Sequence, residues 1–311
     1  MIDFKVSVRC MTYNQASYIV EALNGFCMQQ TSFPYVCCIL DDASTDGEQD
    51  VIRKYLEDYF DLNDNSVVKN EDTDDYFLTF AQHKSNRNCY FAVFYLKYNH
   101  YKIWNRKYQY ISQWEYVAKY IAMCEGDDYW TDSQKLQKQY VFMEAHPECS
   151  LCFHPNYRLY TNGKRIDHYP RIKKNVYGTK DLIILGGPLM ATSSLFFRIF
   201  DIVGNLPKFW ANAPVGDVPL RLYLSTKGMV GYIDEIMTVY RKESYGSWSR
   251  KNRSIRVWVD FIGKMNKLYE DFDEYTNKRY HYAIVVKKGL NYMICLKGIF
   301  SAYKKKLFKS M

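Results

Sequence analysis

No apolar stretch in this 311-residue chain approaches the ~20 residues that a membrane-spanning helix needs; the longest, such as 181–190 and 283–286, fall far short. No basic-then-apolar leader precedes a small-residue cleavage site, because Val6 to Val8 already reads as a strand. A soluble or peripheral protein of the cytoplasm is expected. Paired cysteine chemistry is also missing. The nine cysteines are odd in number and scattered from Cys10 to Cys295, and Cys149–Cys152 is a lone CxxC, so small buried thiols are expected rather than disulfides or zinc. There is no internal repeat and no low-complexity linker. Aromatic residues, by contrast, reach 17%, which suits stacking on rings of bases or sugars and equally suits core filling.

A net positive charge is absent from most of the chain. The formal net charge is +8, yet residues 278–311 hold nine Lys and Arg with no Asp or Glu, leaving 33 basic against 34 acidic side chains elsewhere. A nucleic-acid binder would spread its cations over the folded face that grips phosphates, so none is expected as a partner. On a helix over 283–308, Val285, Tyr292, Met293, Leu296, Ile299, Phe300, Tyr303 and Leu307 share one side. Lys287, Lys288, Lys297 and Lys304 to Lys306 take the other. Such a helix either lies in an anionic bilayer interface or docks its apolar side on the body.

Residues 5–12 alternate as a strand, with Asn14 as an N-cap for a helix reaching about Gln30. YVCCIL at 35–40 is an unbroken apolar run, typical of a strand buried on both faces of a parallel sheet, and 48–59 is helical. This β-α-β-α opening marks a nucleotide-binding α/β half. Residues 60–90, polar and acidic without a clear period, read as a long loop or insertion. Strands at 91–97, 120–124 and 150–154 follow, with helices near 108–118 and 134–145. Residues 155–215 are loop-rich, 216–227 is helical, and 255–272 is a strongly amphipathic helix.

Two acidic pairs stand directly after buried strands: Asp41–Asp42 and Asp127–Asp128. Ligands of open α/β sheets bind outside the carboxyl ends of the strands. Adjacent carboxylates there repel one another unless a cation or hydrogen-bond donor intervenes, and a divalent ion on a diphosphate is a natural occupant.

VSVRCMTYNQASYIVEAL, CILDDASTD and YIAMCEGDDYWTDSQKLQKQ together resemble the inverting family 2 glycosyltransferases, over roughly residues 5–245. The resemblance implies a GT-A nucleotide-diphospho-sugar transferase fold at 1–250, a Rossmann-like, mostly parallel sheet flanked by helices, with a helical extension at 251–311. It implies donor contacts from Thr12, Tyr13, Asp42, Asp127 and Arg241, with Asp46 supporting the loop. Asp128 would be the ligand of Mg²⁺ or Mn²⁺, Glu125 and Trp130 would flank the pair, and Asp217 would be the general base, or else a helix N-cap. The donor would be a nucleoside-diphosphate sugar, a UDP-sugar first, and the acceptor a saccharide or lipid-linked saccharide. Processive members carry a QxxRW motif that this chain lacks, so addition of one sugar per acceptor is implied. A sugar-phosphate nucleotidyltransferase is the rival, but MTYNQAS has none of the glycines of its phosphate loop.

Overall fold

The computed structural model describes residues 2–307 except 65–66, 102–107, 187–188, 200–206, 212 and 243–254; the side chains of 255, 295 and 297–307 are also outside the description. Strands are β1 Val6–Thr12, β2 Tyr35–Asp41, β3 Phe60–Asp61, β4 Lys69–Asp72, β5 Tyr76–His83, β6 Cys89–Leu96, β7 Tyr120–Met123, β8 Tyr129–Trp130, β9 Cys149–Phe153, β10 Asn156–Leu159, β11 Arg165–His168, β12 Val176–Tyr177, β13 Phe196–Arg198, β14 Met229–Tyr232 and β15 Thr238–Arg241. Helices are α1 Ile19–Cys27, α2 Glu48–Tyr59, α3 Tyr108–Glu115, α4 Lys135–Ala145, α5 Thr179–Leu185, α6 Lys208–Ala211, α7 Asp217–Ser225, α8 Ile255–Tyr275 and α9 His281–Leu307.

The chain divides into two compact units, one of residues 1–175, 190–201 and 230–250, the other of 176–189, 202–229 and 251–311. The first holds a large sheet ordered β14-β9-β13-β7-β1-β2-β6-β5-β3, with β4 beside β5. Its centre is parallel: β1 lies between β2 and β7, and β2 pairs with β6. All seven residues of both β1 and β2 are buried: the apolar run of β2 suits a strand covered on both faces, and β1, which alternates, buries Ser7 and Arg9 as well. A smaller sheet, β11-β10-β15-β8, follows from the same unit.

Two expectations need correction. Residues 60–90 are not a loop, since β5 pairs antiparallel with β3, β4 and β6. β4 is KNED, residues with poor strand propensity, and its place is set by main-chain pairing along the exposed sheet edge. Nor does Asn14 cap α1: it sits in the left-handed region at φ 55, and the residue before the helix is Tyr18. Every described cysteine is free, including Cys149 and Cys152.

The second unit is helical apart from β12. α8 buries Ile262, Met265, Leu268, Tyr269 and Phe272 of the face its periodicity predicts, while Trp258 of that face is exposed. Asn277 and Lys278, both left-handed, end it before α9 begins.

A buried ion pair ties α3 to the central strand. Arg9 Nε and Nη2 donate to Glu115 Oε1 at 2.5 Å and Oε2 at 2.7 Å, with Arg9 9% and Glu115 5% exposed. Removing one partner strands the other charge, so Glu115→Ala should lower stability by about 3–5 kcal/mol in urea unfolding. The double change Arg9→Met with Glu115→Leu should recover most of that loss; a double variant no better than the single would show that the pair is not what holds α3.

Candidate active site

The carboxyl ends of β1, β2 and β7 meet because their connecting loops bond to one another. Asp42 N donates to the Thr12 carbonyl at 3.0 Å, joining the ends of β1 and β2. Cys124 N reaches the Arg9 carbonyl, and Gly126 N the Met11 carbonyl, so the segment after β7 runs along the end of β1. A Cβ on Gly126 would come within 2.3 Å of Thr12 Oγ1, so only glycine allows this approach. Asp127 and Asp128 follow at once.

Glu48, which the sequence reading passed over, is the knot of the first two loops. Fully buried as the first residue of α2, it accepts from Thr12 Oγ1, from Gln15 N at 2.8 Å and from Ser44 Oγ at 2.9 Å. Burial pushes its carboxyl up to about 7 despite those donors. Asp46 is exposed and works beside it, accepting from Ala16 N and Glu48 N. Asn14 completes the frame through Ser44 Oγ and Thr45 N, and Tyr13 stands between it and Thr12, half-buried.

The first acidic pair is structural in its contacts. Asp41 Oδ1 accepts from Ser44 N and Gln49 Nε2, and burial raises its carboxyl above the ordinary value. Asp42 Oδ1 accepts from His100 N at 2.7 Å and Oδ2 from Tyr101 N at 3.3 Å, which binds the loop after β6 to the end of β2. Ala43, between this pair and Ser44, is held left-handed at φ 58, a costly state for a residue with a Cβ.

The second pair is divided by environment. Asp127 is half-buried, while Asp128 is 1% exposed and accepts from Arg241 N at 2.9 Å. Burial first, and then the charge of Asp127, raise the Asp128 carboxyl well above the usual carboxylate range. Arg241, at the end of β15, clamps this corner. Its Nη1 donates to the Asp127 carbonyl and its Nη2 to Glu21 Oε1, both at 2.6 Å, with its guanidinium near the rings of Tyr18 and Tyr129. Tyr18, Glu21 and Tyr129 carried no sequence signal that would single them out. Below the pair, Trp130 is a core plug: Nε1 donates to the Ser193 carbonyl, and Lys135 Nζ lies 4.0 Å from the ring centroid. Glu125, half-buried, opens the same turn, its carbonyl accepting from Asp128 N.

A divalent cation fits this corner in one way. Among the described residues no three His, Cys, Asp or Glu side chains form a cage. Asp127 and Asp128 supply two carboxylates, and an ion that prefers few protein ligands would draw the rest from phosphate oxygens and water.

Asp217 lies in the helical unit, as the first residue of α7, with Pro219 two positions on. Its carboxylate pairs with the buried Arg221, whose Nε also donates to the Asp217 carbonyl. Further along the chain, Asp234 pairs with Lys173 and Tyr232, and Glu243 lies outside the described residues.

Glu48 makes a pH prediction. Its folded-state value is raised above the 4.5 of an ordinary Glu, so the folded protein keeps this proton longer than the unfolded chain. Its contribution to stability therefore falls as pH rises from about 4.5 to about 7 and is flat above. Glu48→Gln should gain on the wild type by about 2–3 kcal/mol between roughly pH 5 and pH 8 in paired unfolding curves. A difference that does not change with pH would mean that the carboxyl ionises near its ordinary value.

Comparison with known proteins bears on the fold. Residues 7–71 match the family described as Glycosyl transferase family 2. Uncharacterized proteins of Mycobacterium bovis and Mycobacterium tuberculosis are 29% identical over 247 residues, covering 78% of this chain and 60% of theirs. The chain thus spans about 60% of the length of these curated relatives. Among solved structures, Staphylococcus aureus TarS 1–349 in complex with UDP-GlcNAc superposes with a TM-score of 0.53 at 17% identity, over 86% of this chain and 66% of that one. The mannosyltransferase PcManGT from Pyrobaculum calidifontis, in complex with GDP-Man and Mn²⁺, gives 0.50 at 12% identity, over 96% and 75%. The chain has the GT-A glycosyltransferase fold, and its first β-α-β-α segment carries a family 2 glycosyltransferase domain match.

Proposed function

We propose that the protein transfers one sugar from a nucleoside-diphosphate sugar, a UDP-sugar first, to a saccharide or lipid-linked saccharide, with inversion and with help from Mg²⁺ or Mn²⁺. The observation that carries this reading is the convergence of Thr12, Asp42 and the Asp127–Asp128 pair at the ends of parallel strands, in a chain whose residues 7–71 match family 2. Its setting is the synthesis of a surface polysaccharide or glycoconjugate.

Each residue has a role in the proposal. Thr12 and Tyr13 line the base pocket, with Asp42 toward base or ribose, and Asp46 and Glu48 keep that loop in shape. Asp127, the more open of its pair, faces the ribose or sugar; Asp128 is the cation ligand. When bound, the cation neutralises the diphosphate and makes it a better leaving group. Arg241 adds fixed positive charge beside the acids, although its own donors already serve Asp127 and Glu21.

The transfer is one displacement. The acceptor oxygen forms a bond to the anomeric carbon as the bond from that carbon to the diphosphate oxygen breaks, and the hydroxyl proton passes to a carboxylate. Asp217 is proposed as that base. Arg221, four residues on in the same helix, fixes its carboxylate without shielding it, since the side chain stays about one-third exposed.

Two substitutions test these roles. Asp128→Asn keeps the acceptor for Arg241 N and removes a carboxyl whose ionisation burial opposes, so the variant should melt no lower than the wild type. In calorimetry it should lose cation-dependent binding of UDP-sugar; unchanged binding would move the ligand to another residue. Asp217→Asn should bind donor and cation normally yet turn over about 10²–10⁴-fold more slowly, the range of general-base contributions. A loss below about tenfold would place the base elsewhere.

A further inference from the structure

The side that α9 packs within the helical unit takes polar residues inward: Lys287 and Asn291 are 8% and 6% exposed, beside Ala283 and Ile284 at 2% each. Asn291 Nδ2 donates to Asn266 Oδ1 on α8 at 2.9 Å, and Lys288 pairs with Glu270. Lys287 Nζ lies 5.9 Å from the Tyr269 ring centroid, and a Cβ on Gly186 would stand 2.3 Å from that nitrogen, so the ammonium is packed against bare backbone. Burial, and then Arg221, lower its pKa to about 8.

The apolar side is left outward. Tyr282, Val285, Tyr292, Met293 and Leu296 are 75%, 53%, 55%, 54% and 65% exposed. At 100° per residue they fall in one stripe about 100° wide. Lys287, which the helical wheel sets opposite the apolar side, is buried in the structure. The structure also removes the alternative in which this apolar face docks on the body, for the part of the face that is described.

We propose that this face of α9 binds the surface of an anionic lipid bilayer, lying in the interface without crossing it. No helix among the described residues is long and apolar enough to cross a membrane. A helix that buries a lysine and an asparagine along with Ala283 and Ile284 while exposing two tyrosines, a valine, a methionine and a leucine suits an apolar phase outside. Charge then selects the partner. Residues 278–311 carry nine Lys and Arg and no acid, a strongly positive segment. A second copy meeting this face by two-fold symmetry would set two such segments against each other, and their like charges oppose that. An anionic headgroup layer accepts both the rings and the cations. The inference does not depend on the transferase reading, although a lipid-linked acceptor would give it a purpose.

Co-sedimentation tests it with the full chain. Phosphatidylcholine vesicles carrying about one-third phosphatidylglycerol should pellet the protein, and pure phosphatidylcholine should pellet at least several-fold less. Raising salt should weaken the binding without abolishing it, since screening removes the ionic part alone. The double variant Met293→Glu with Leu296→Glu should lower binding about tenfold or more while its melting curve stays that of the wild type. Three results would each overturn the proposal: no pelleting with anionic vesicles, equal pelleting of the variant, or a lowered melting point in the variant, which would mean that the face is packed in the fold. Light scattering that shows a dimer dissolved by the same variant, without vesicle binding, would assign the face to a second copy instead.

Discussion

Two carboxylates placed side by side at the end of a buried strand repel each other, and the first unit is arranged around that repulsion. The turn after β7 delivers Asp127 and Asp128 to the end of β1 through a glycine that touches Thr12. One carboxylate stays half open, while the other is desolvated and holds its proton more tightly than an ordinary Asp. A main-chain N–H, that of Arg241, offsets part of the cost at Asp128, and the Arg241 guanidinium holds the Asp127 carbonyl. The proposed cation and diphosphate would be bound at this corner.

The same logic extends outward from this corner. Glu48 gathers three donors from two loops, so the nucleotide end of the sheet is shaped by a carboxylate that touches nothing outside it. Asp42 does the same for the loop after β6, and Ala43 is kept in an unfavourable backbone state between them. Strain and buried carboxylates thus collect at the strand ends, while the centre of the sheet is mainly apolar, with Arg9 of β1 neutralised there by Glu115. The proposed transfer uses the ends and leaves the centre as support.

Much of this frame was legible in the sequence. β1, β2, α2 and α4 lie within a residue or so of where their periodicity places them, because unbroken apolar runs and 3.6-residue patterns report directly on burial. The region 60–90 was not legible. Its acidic flanks masked the YFLTFAQH strand, and β4 exists only through pairing with it. Burial of Glu48 was equally hidden, since an acidic residue in the first turn of a helix usually faces water. For α9 the two faces were legible, but which of them faces the protein was not. A helical wheel sorts residues into sides, and the partner, here α8 with Asn266 and Tyr269, decides the side that is buried.

The central claim is that the strand-end acids bind a nucleoside-diphosphate sugar with a divalent cation for sugar transfer. Its most direct test is a donor screen, offering UDP-, GDP- and dTDP-sugars to the purified protein with Mg²⁺, Mn²⁺ or a chelator and measuring nucleotide release. The account predicts release from at least one donor, with a UDP-sugar first, that stops when the chelator is present. Release that continues undiminished in the chelator, or none from any donor with either ion, would contradict it.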